Sequence, residues 1–354
     1  MDQFFHLSTK QKIIIHLSYR NVFNAPLRIS ECQKWLGIDA HNQKEFEAAI
    51  QELKEENLVS VNKGLVCVKR NSTIIDQQEQ KDQLSQSLIN QGNSTLKLLG
   101  RIPFIRYIGI SGSVAANNPT GIQNGKHEGF VDLDIFVICR SNCIYILFLF
   151  ERVIKNLRSL FKGHHFYCFN YVTDETFLEV YNKNFYTATE INNLKTVYDD
   201  GVFKHFKAHN HWYEGYYKPK SVTPINEIEL KSFSWISLLA PINWSCFLIF
   251  CIGRALKRME ISALLEAFGG FDPTKKCNPK RISNPNGGYQ EAIRQRFVEV
   301  YETEFPNYFS EEIIDILFPP KNGFAFNPDT NVHDREHQEL FYKYQLETNE
   351  KDLI

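Results

Sequence analysis

The feature that most constrains the fold is the run 131–138, in which aspartate and apolar residues alternate. Successive side chains of a β-strand point to opposite faces. The run therefore predicts a strand with Asp132 and Asp134 on one face and a continuous apolar row on the other. Aspartate is unfavourable inside a strand, so two of them among apolar neighbours indicate a functional requirement.

The chemistry expected of this strand is metal binding. Divalent cations such as Mg²⁺ prefer oxygen ligands, and phosphoryl transfer uses a pair of them at the attacking and leaving oxygens. Asp132 and Asp134 are therefore the predicted catalytic and metal-binding residues, with Mg²⁺ as the expected cofactor and Mn²⁺ as an alternative. The competing interpretation is a surface strand with two solvated aspartates.

A glycine–serine pair precedes this strand. The apolar run 107–110 predicts another strand, and Gly112 and Ser113 follow where that strand turns into a helix. Glycine lets a phosphate approach the backbone, and free N–H groups at the start of a helix attract its charge. Gly112 and Ser113 are therefore predicted to bind nucleotide.

Taken together, these motifs resemble the nucleotidyltransferase superfamily with the DNA polymerase beta-like fold. Its pattern is an apolar residue, Gly-Ser, a spacer and then Asp-x-Asp between apolar residues, which Ile110, Gly112-Ser113 and 132–134 match. The resemblance covers about Tyr107 to Val172. It implies Mg²⁺-dependent transfer of a nucleoside monophosphate from an NTP or dNTP to a hydroxyl of RNA, protein, a small molecule or a growing oligonucleotide.

A looser likeness, carried by residues 22–27, 169–172 and 186–190, is to bacterial nucleotidyltransferase-like proteins with an N-terminal winged helix. This likeness implies a role in a bacterial toxin or an antiviral defence system. The expected fold class is α+β: a winged helix-turn-helix (1–70), a helical connector (71–100), a polymerase-beta-like core (101–200) and a mostly helical C-terminal region with a peripheral tail (201–354).

The chain departs from the family pattern at its third carboxylate, which the family places on a later neighbouring strand. On the candidate strand 165–172 the matching position is Asn170, a neutral amide that can ligate a metal but is a poor base. Asp174, Glu175 and Glu179, on the following turn and strand, are the alternative ligands, of which Glu179 is the one assigned. The second functional hypothesis is therefore a catalytically weak, nucleotidyltransferase-like module that binds a nucleotide or a partner.

Two further surfaces carry charge. Arg254 and Lys257, on one predicted helix, are candidates for binding the triphosphate, against the alternative of a solvated helix face. The third helix of the winged unit, 43–57, contains five Glu and two Lys. Phosphates would be repelled by that surface, which favours a protein partner over DNA.

Composition excludes several classes of protein. With 43% hydrophobic residues the chain is not disordered, and a net charge of −1 excludes a general nucleic-acid binder. The eight cysteines contain no Cys-x-x-Cys pair, so a zinc ribbon is not expected. The start of the chain lacks a basic signal segment, which predicts a cytoplasmic protein. The apolar stretch 235–253 contains Pro241 and Asn243 and indicates buried helices, with no membrane partner.

Overall fold

A computed structural model describes residues 3–119, 122–123, 126–127, 133–151, 167–180, 182–218, 239–258, 277–278, 281–283 and 287–319. These residues form a mixed α+β fold. The helices are α1 (Gln3–His6), α2 (Thr9–Val22), α3 (Ile29–Leu36), α4 (Gln43–Glu55), α5 (Ile74–Leu99), α6 (Gly112–Ala115), α7 (144–151), α8 (Phe185–Asn193), α9 (Val202–His209), α10 (Ala240–Arg258), α11 (Gly287–Glu304) and α12 (Glu311–Leu317). The strands are β1 (Leu27–Arg28), β2 (Val59–Asn62), β3 (Leu65–Val68), β4 (Ile105–Ser111), β5 (Ile122–Gln123), β6 (Lys126–His127), β7 (Leu133–Cys139), β8 (Tyr167–Asp174), β9 (Lys195–Asp199), β10 (Cys277–Asn278) and β11 (Arg281–Ser283).

The N-terminal part combines three helices, α2 to α4, with a small antiparallel sheet in the order β1-β3-β2. Ser8 caps α2 and forms a reciprocal capping box with Gln11, which satisfies two backbone N–H groups at the helix start. Strands β2 and β3 form an antiparallel hairpin, and its turn places Lys63 and Gly64 in the left-handed region. Within the segment 71–100, residues Ile74–Leu99 form the 26-residue helix α5.

The central sheet has the strand order β10-β11-β8-β7-β4-β9. Strand β7 runs antiparallel to β4 and parallel to β8. A parallel neighbour requires a crossover connection, which here is the segment between Cys139 and Tyr167. The three strands that carry the sequence motifs are therefore adjacent in the middle of the sheet.

Strand β7 separates two apolar cores. Phe136 and Ile138 face the larger core, which also contains buried residues of α1 to α4, α8, α9, α11 and α12. Ile135 and Val137 face a smaller core, which is completed by α5, α6, α7 and α10. Asp134 alternates with the smaller-core residues, so it lies on the larger-core face.

Among the described residues, none of the helices is both long enough and apolar enough to cross a bilayer.

Candidate active site at the end of strands β4 and β7

The predicted glycine–serine turn lies directly beside Asp134. Ser111, the last residue of β4, is in register with Asp134 of β7, and its hydroxyl donates to the Asp134 carbonyl oxygen over 3.3 Å. Gly112 follows with φ +66°, a left-handed conformation that favours glycine. A Cβ atom at this position would lie 2.4 Å from Oδ2 of Asp134. Glycine is therefore required both by the backbone and by the neighbouring carboxylate.

Of the predicted aspartate pair, the structure describes one member. Asp134 is partly buried on the larger-core face of β7. Asp132 lies outside the described residues. The site is consequently built here from Asp134 and its neighbours.

A second carboxylate, Glu190 of α8, meets Asp134 at this turn. Its Oε2 atom accepts a hydrogen bond from the backbone N–H of Gly112 over 3.3 Å. The pKa of the Glu190 carboxyl is raised to about 7, mainly by burial and further by the negative charge of Asp134, against the opposing hydrogen bond from Gly112. Two carboxylates from distant parts of the chain thus converge on Gly112.

Helix α8 holds Glu190 in place through contacts made by the residues that precede it. Asn184 caps the helix, since its Oδ1 accepts the N–H of Thr187 over 2.9 Å. The Thr189 hydroxyl lies 2.5 Å from the Tyr217 hydroxyl, and the Phe185 ring stacks on the Tyr217 ring. The backbone that carries Glu190 is therefore fixed by the larger core.

The predicted third position, Asn170, lies at an irregularity of β8. Ile135 of β7 is in register with Phe169, whereas the next residue, Phe136, is in register with Tyr171. Asn170 is the extra residue of this bulge and is partly buried. The residue in register with Asp134 is Cys168. A neutral thiol therefore stands in β8 beside Asp134.

The alternative ligand, Glu179, lies in the segment after β8. Strands β7 and β8 are parallel, and both begin at the end of the sheet where Asp134 is in register with Cys168. Strand β8 ends at Asp174, which is in register with Cys139 at the other end of β7. The segment after β8 therefore starts at the end of the strands that lies away from Asp134. Glu179 is exposed and forms an ion pair with Lys183 over 2.5 Å.

The remaining predicted nucleotide ligands are placed only in part. Ser113 is the second residue of α6 and is partly buried. The backbone of Arg254 and Lys257 belongs to α10, and both of their side chains lie outside the described residues. Helix α10 contributes Cys246 and Phe247 to the smaller core, on the other face of the sheet from Asp134.

Two buried cations, which the sequence did not single out, hold the segment after α6. Lys81 of α5 donates to the Asn24 carbonyl over 2.9 Å and to Oδ1 of Asn118 over 2.8 Å. Arg20 of α2 donates to the Ala116 carbonyl over 3.3 Å. Burial lowers the pKa of Lys81 to about 8, and the positive charge of Arg20 adds to the shift. Helices α2 and α5 thus hold the segment that directly follows α6.

The donor set fits a hard divalent cation. Asp134 and Glu190 offer carboxylate oxygens of the kind that Mg²⁺ and Mn²⁺ prefer. Within the described ranges, no three His, Cys, Asp or Glu side chains cluster closely enough to hold a metal by themselves. A complete metal centre would need a donor from outside those ranges, and Asp132 is the predicted one.

Comparisons with protein-family models, with curated proteins and with solved structures give no match.

Proposed function

We propose that this protein is a metal-dependent nucleotidyltransferase that moves a nucleoside monophosphate from a nucleoside triphosphate to a hydroxyl acceptor. One observation carries the proposal: Gly112, at the end of β4, packs against the Asp134 carboxylate at the start of β7. The two sequence motifs, far apart along the chain, thereby share one site. The mixed sheet that contains β4, β7 and β8 supports a polymerase-beta-like core, and the N-terminal helices with their hairpin support a winged helix-turn-helix.

The roles of the residues follow from their chemistry. Asp132 and Asp134 would hold Mg²⁺, which when bound neutralises phosphate oxygens and favours attack by the acceptor hydroxyl. Gly112 keeps the turn beside Asp134 free of a side chain, and the Ser113 hydroxyl is a donor for a phosphate oxygen. Most of the rate in such chemistry comes from positioning and charge stabilisation, so the loss of a third ligand would weaken catalysis without abolishing it.

Glu190 is our proposed third carboxylate, and Asn170 and Glu179 are the competing assignments. The assignment to Glu190 is supported by the hydrogen bond that this carboxylate accepts from Gly112, the residue that also packs against Asp134. It is further supported by the effect of the Asp134 charge, which raises the pKa of Glu190. Glu190→Gln keeps the shape of the side chain and removes its charge. It should weaken Mn²⁺ binding, measured by electron paramagnetic resonance, and raise the Mg²⁺ concentration for half-maximal activity.

Matched variants distinguish the three assignments. Glu179→Gln removes an exposed carboxylate and should leave Mn²⁺ affinity unchanged. Asn170→Asp adds a charge at the bulge and should strengthen Mn²⁺ binding only if position 170 is the ligand. If Glu190→Gln binds Mn²⁺ as the parent does, while either of the other variants changes that affinity, the assignment to Glu190 is wrong.

The transferase activity itself is tested by incubating the protein with each labelled triphosphate and Mg²⁺ or Mn²⁺, and resolving the products.

A specific observation favours the second candidate, a nucleotide- or partner-binding module with weak catalysis. Cys168, a neutral side chain, stands in β8 beside Asp134. Triphosphate binding at equilibrium, without any product in the incubation, would support this second function and contradict the first.

We propose that the N-terminal unit binds a protein partner rather than DNA. We also propose that this chain is a cytoplasmic protein. Its third helix, α4, exposes a face rich in glutamate, and Lys10 pairs with Glu52 of this helix and with Glu56, the residue that directly follows it. Lys10 lies 3.0 Å from Glu52 and 2.6 Å from Glu56. Titration of labelled duplex DNA at several salt concentrations tests this. Tight, steeply salt-dependent binding would contradict it.

A further inference from the structure

Three cations from distant parts of the chain converge on the segment 116–118, which directly follows α6. They are Arg20 of α2, Lys81 of α5 and Lys195 of β9, and we call them the cation cluster. Each donates a hydrogen bond to a different one of the three consecutive residues, over 2.6–3.3 Å. Because the three acceptors are neighbours in the chain, the three positive charges lie close together.

The acceptors of these hydrogen bonds are neutral carbonyl and amide oxygens, which leave the positive charges uncompensated. Among the residues that the structure describes, no carboxylate lies within ion-pair distance of any member of the cation cluster. Arg20 and Lys81 are nevertheless only 8% and 7% exposed. Buried charges in proteins are normally paired. Three cations without such a partner around one segment therefore point to an anion that completes the site.

The wider electrostatic surroundings leave the site positive. Arg28 at the end of β1 pairs with Asp82 of α5, so these two charges offset each other. Glu31 of α3 is exposed and acts on Arg20 and Lys195 only as a charge at longer range. Against the three positive charges of the cation cluster this carboxylate supplies one negative charge, so a net charge of +2 remains in the described surroundings.

Lys195 is the member of the cation cluster that a ligand can reach from solvent. Its side chain and that of Asn117 are both only partly buried. Within the described ranges, only one of the three N–H groups of Lys195 has an acceptor, which is Oδ1 of Asn117. Because that oxygen accepts from Lys195, the Nδ2 group of the same amide is a second donor next to it. Lys195 and Asn117 thus present adjacent donors at the surface, and the two buried cations lie deeper.

We propose that the cation cluster and Asn117 form a binding site for a phosphate group. A phosphate carries about two negative charges and several acceptor oxygens, so it matches a net charge of +2 and adjacent donors better than a single carboxylate does. Lys195 contacts the phosphate oxygens directly, while Arg20 and Lys81 stabilise its charge from the interior. Inorganic phosphate and the polyphosphate tail of a nucleotide both present this chemistry.

This phosphate site is distinct from the candidate active site at Asp134. Lys195 is in register with Ile110 of β4, which is buried in the smaller core. Residues in register on an antiparallel pair share one face of the sheet, whereas Asp134 lies on the larger-core face. The proposal therefore does not depend on the proposed transferase function.

Isothermal titration calorimetry of the full chain tests the proposal in a buffer with EDTA, which removes binding that a metal would mediate. Inorganic phosphate, tripolyphosphate, ATP and adenosine are titrated separately. Tripolyphosphate should bind, and adenosine should not. Binding of inorganic phosphate as well would identify the free anion as the occupant. Binding of ATP with no binding of inorganic phosphate would identify the polyphosphate tail of a nucleotide.

Matched lysine variants locate the binding. Lys195→Met removes the charge and should weaken tripolyphosphate binding by about tenfold or more, as expected for a lost charged hydrogen bond. Lys195→Arg keeps the charge and should retain most of the affinity. Lys183→Met is the control, because Lys183 is a partly exposed lysine that pairs with Glu179; it should bind as the parent does.

Acetylation of lysines, mapped by mass spectrometry, gives a second measurement that needs no variant. Saturating tripolyphosphate should slow the acetylation of Lys195 several-fold and leave that of Lys183 unchanged. A parent that binds neither phosphate, tripolyphosphate nor ATP at millimolar concentration overturns the proposal. So does binding that is equal in Lys195→Met and Lys183→Met and leaves the acetylation of Lys195 unchanged, since the anion would then lie elsewhere.

Discussion

Replacing Gly112 with alanine should damage both the stability and the metal site of this protein. Gly112 has φ +66°, and the left-handed conformation costs an alanine about 1–2 kcal/mol. The new Cβ would also lie 2.4 Å from Oδ2 of Asp134, where ordinary contacts begin at 3.4 Å. The carboxylate must therefore move by about 1 Å, and displacements of that size reduce enzymatic rates by about 10²-fold.

Gly64 provides a matched control for the backbone effect. It has φ +72° in the turn between β2 and β3, and no heavy atom lies within 4 Å of a Cβ built on it. Gly64→Ala should therefore lose a similar 1–2 kcal/mol of unfolding free energy from the backbone alone. It should not change Mn²⁺ affinity or activity.

A double-mutant cycle isolates the contact between Gly112 and Asp134. The free energy of unfolding, measured by urea denaturation, should fall more on Gly112→Ala in the parent than in an Asp134→Ala background, where the clashing oxygen is gone. Mn²⁺ affinity measured on the single variants gives the second readout. If Gly112→Ala and Gly64→Ala lose equal stability, and both bind Mn²⁺ as the parent does, the proposed packing of Gly112 against Asp134 is refuted.

Three further predictions follow from single side chains. Without metal, Asp134→Asn should melt at the same temperature as the parent or slightly higher, because the substitution removes the repulsion between Asp134 and Glu190. With Mg²⁺ the parent should melt at a higher temperature, whereas the melting temperature of Asp134→Asn should not change. The pKa of Lys81 falls from 10.5 to about 8 on folding, so between pH 8 and pH 10.5 the unfolded chain binds more protons than the folded chain. The free energy of unfolding should therefore rise from pH 8 to pH 10 in the parent. In Lys81→Met, which lacks this amine, the rise should be smaller. Phe136→Ala should cost about 3–5 kcal/mol in urea denaturation, since the ring is buried and lies 5.0 Å from that of Tyr171; a loss below 1 kcal/mol would contradict its place in the larger core.

The fold elements that the sequence predicts well are those with a local physical cause. Strand β7 lies between two apolar cores, so its residues 133–139 read as a near-continuous apolar run that only Asp134 interrupts. The turn at Gly112 can also be recognised in the sequence, because a position with a left-handed backbone beside a carboxylate favours glycine. The β2–β3 hairpin is predicted from the Lys63-Gly64 turn between two apolar runs.

The rest of the candidate site depends on contacts between distant parts of the chain. Glu190 lies 78 residues after Gly112, whose N–H it accepts. In the sequence it is only the last residue of 186–190, a stretch that carries the looser family likeness and assigns no role to it. In the register of β7 and β8 Cys168 stands beside Asp134, and Asn170 is the extra residue of the bulge between the Ile135–Phe169 and Phe136–Tyr171 pairs. A one-residue shift of this kind reverses which face a side chain occupies, and no sequence pattern around 169–171 announces it.

The most direct measurement of the central proposal is nucleotide incorporation by the parent and by Asp134→Asn, side by side. Each purified protein is incubated with α-labelled triphosphates and Mg²⁺ or Mn²⁺, and covalently labelled products are separated. We expect the parent to form a labelled product only with metal present, and Asp134→Asn to form none while melting as cooperatively as the parent. A labelled product formed equally by both proteins would contradict the assignment of Asp134 to a nucleotidyltransferase site.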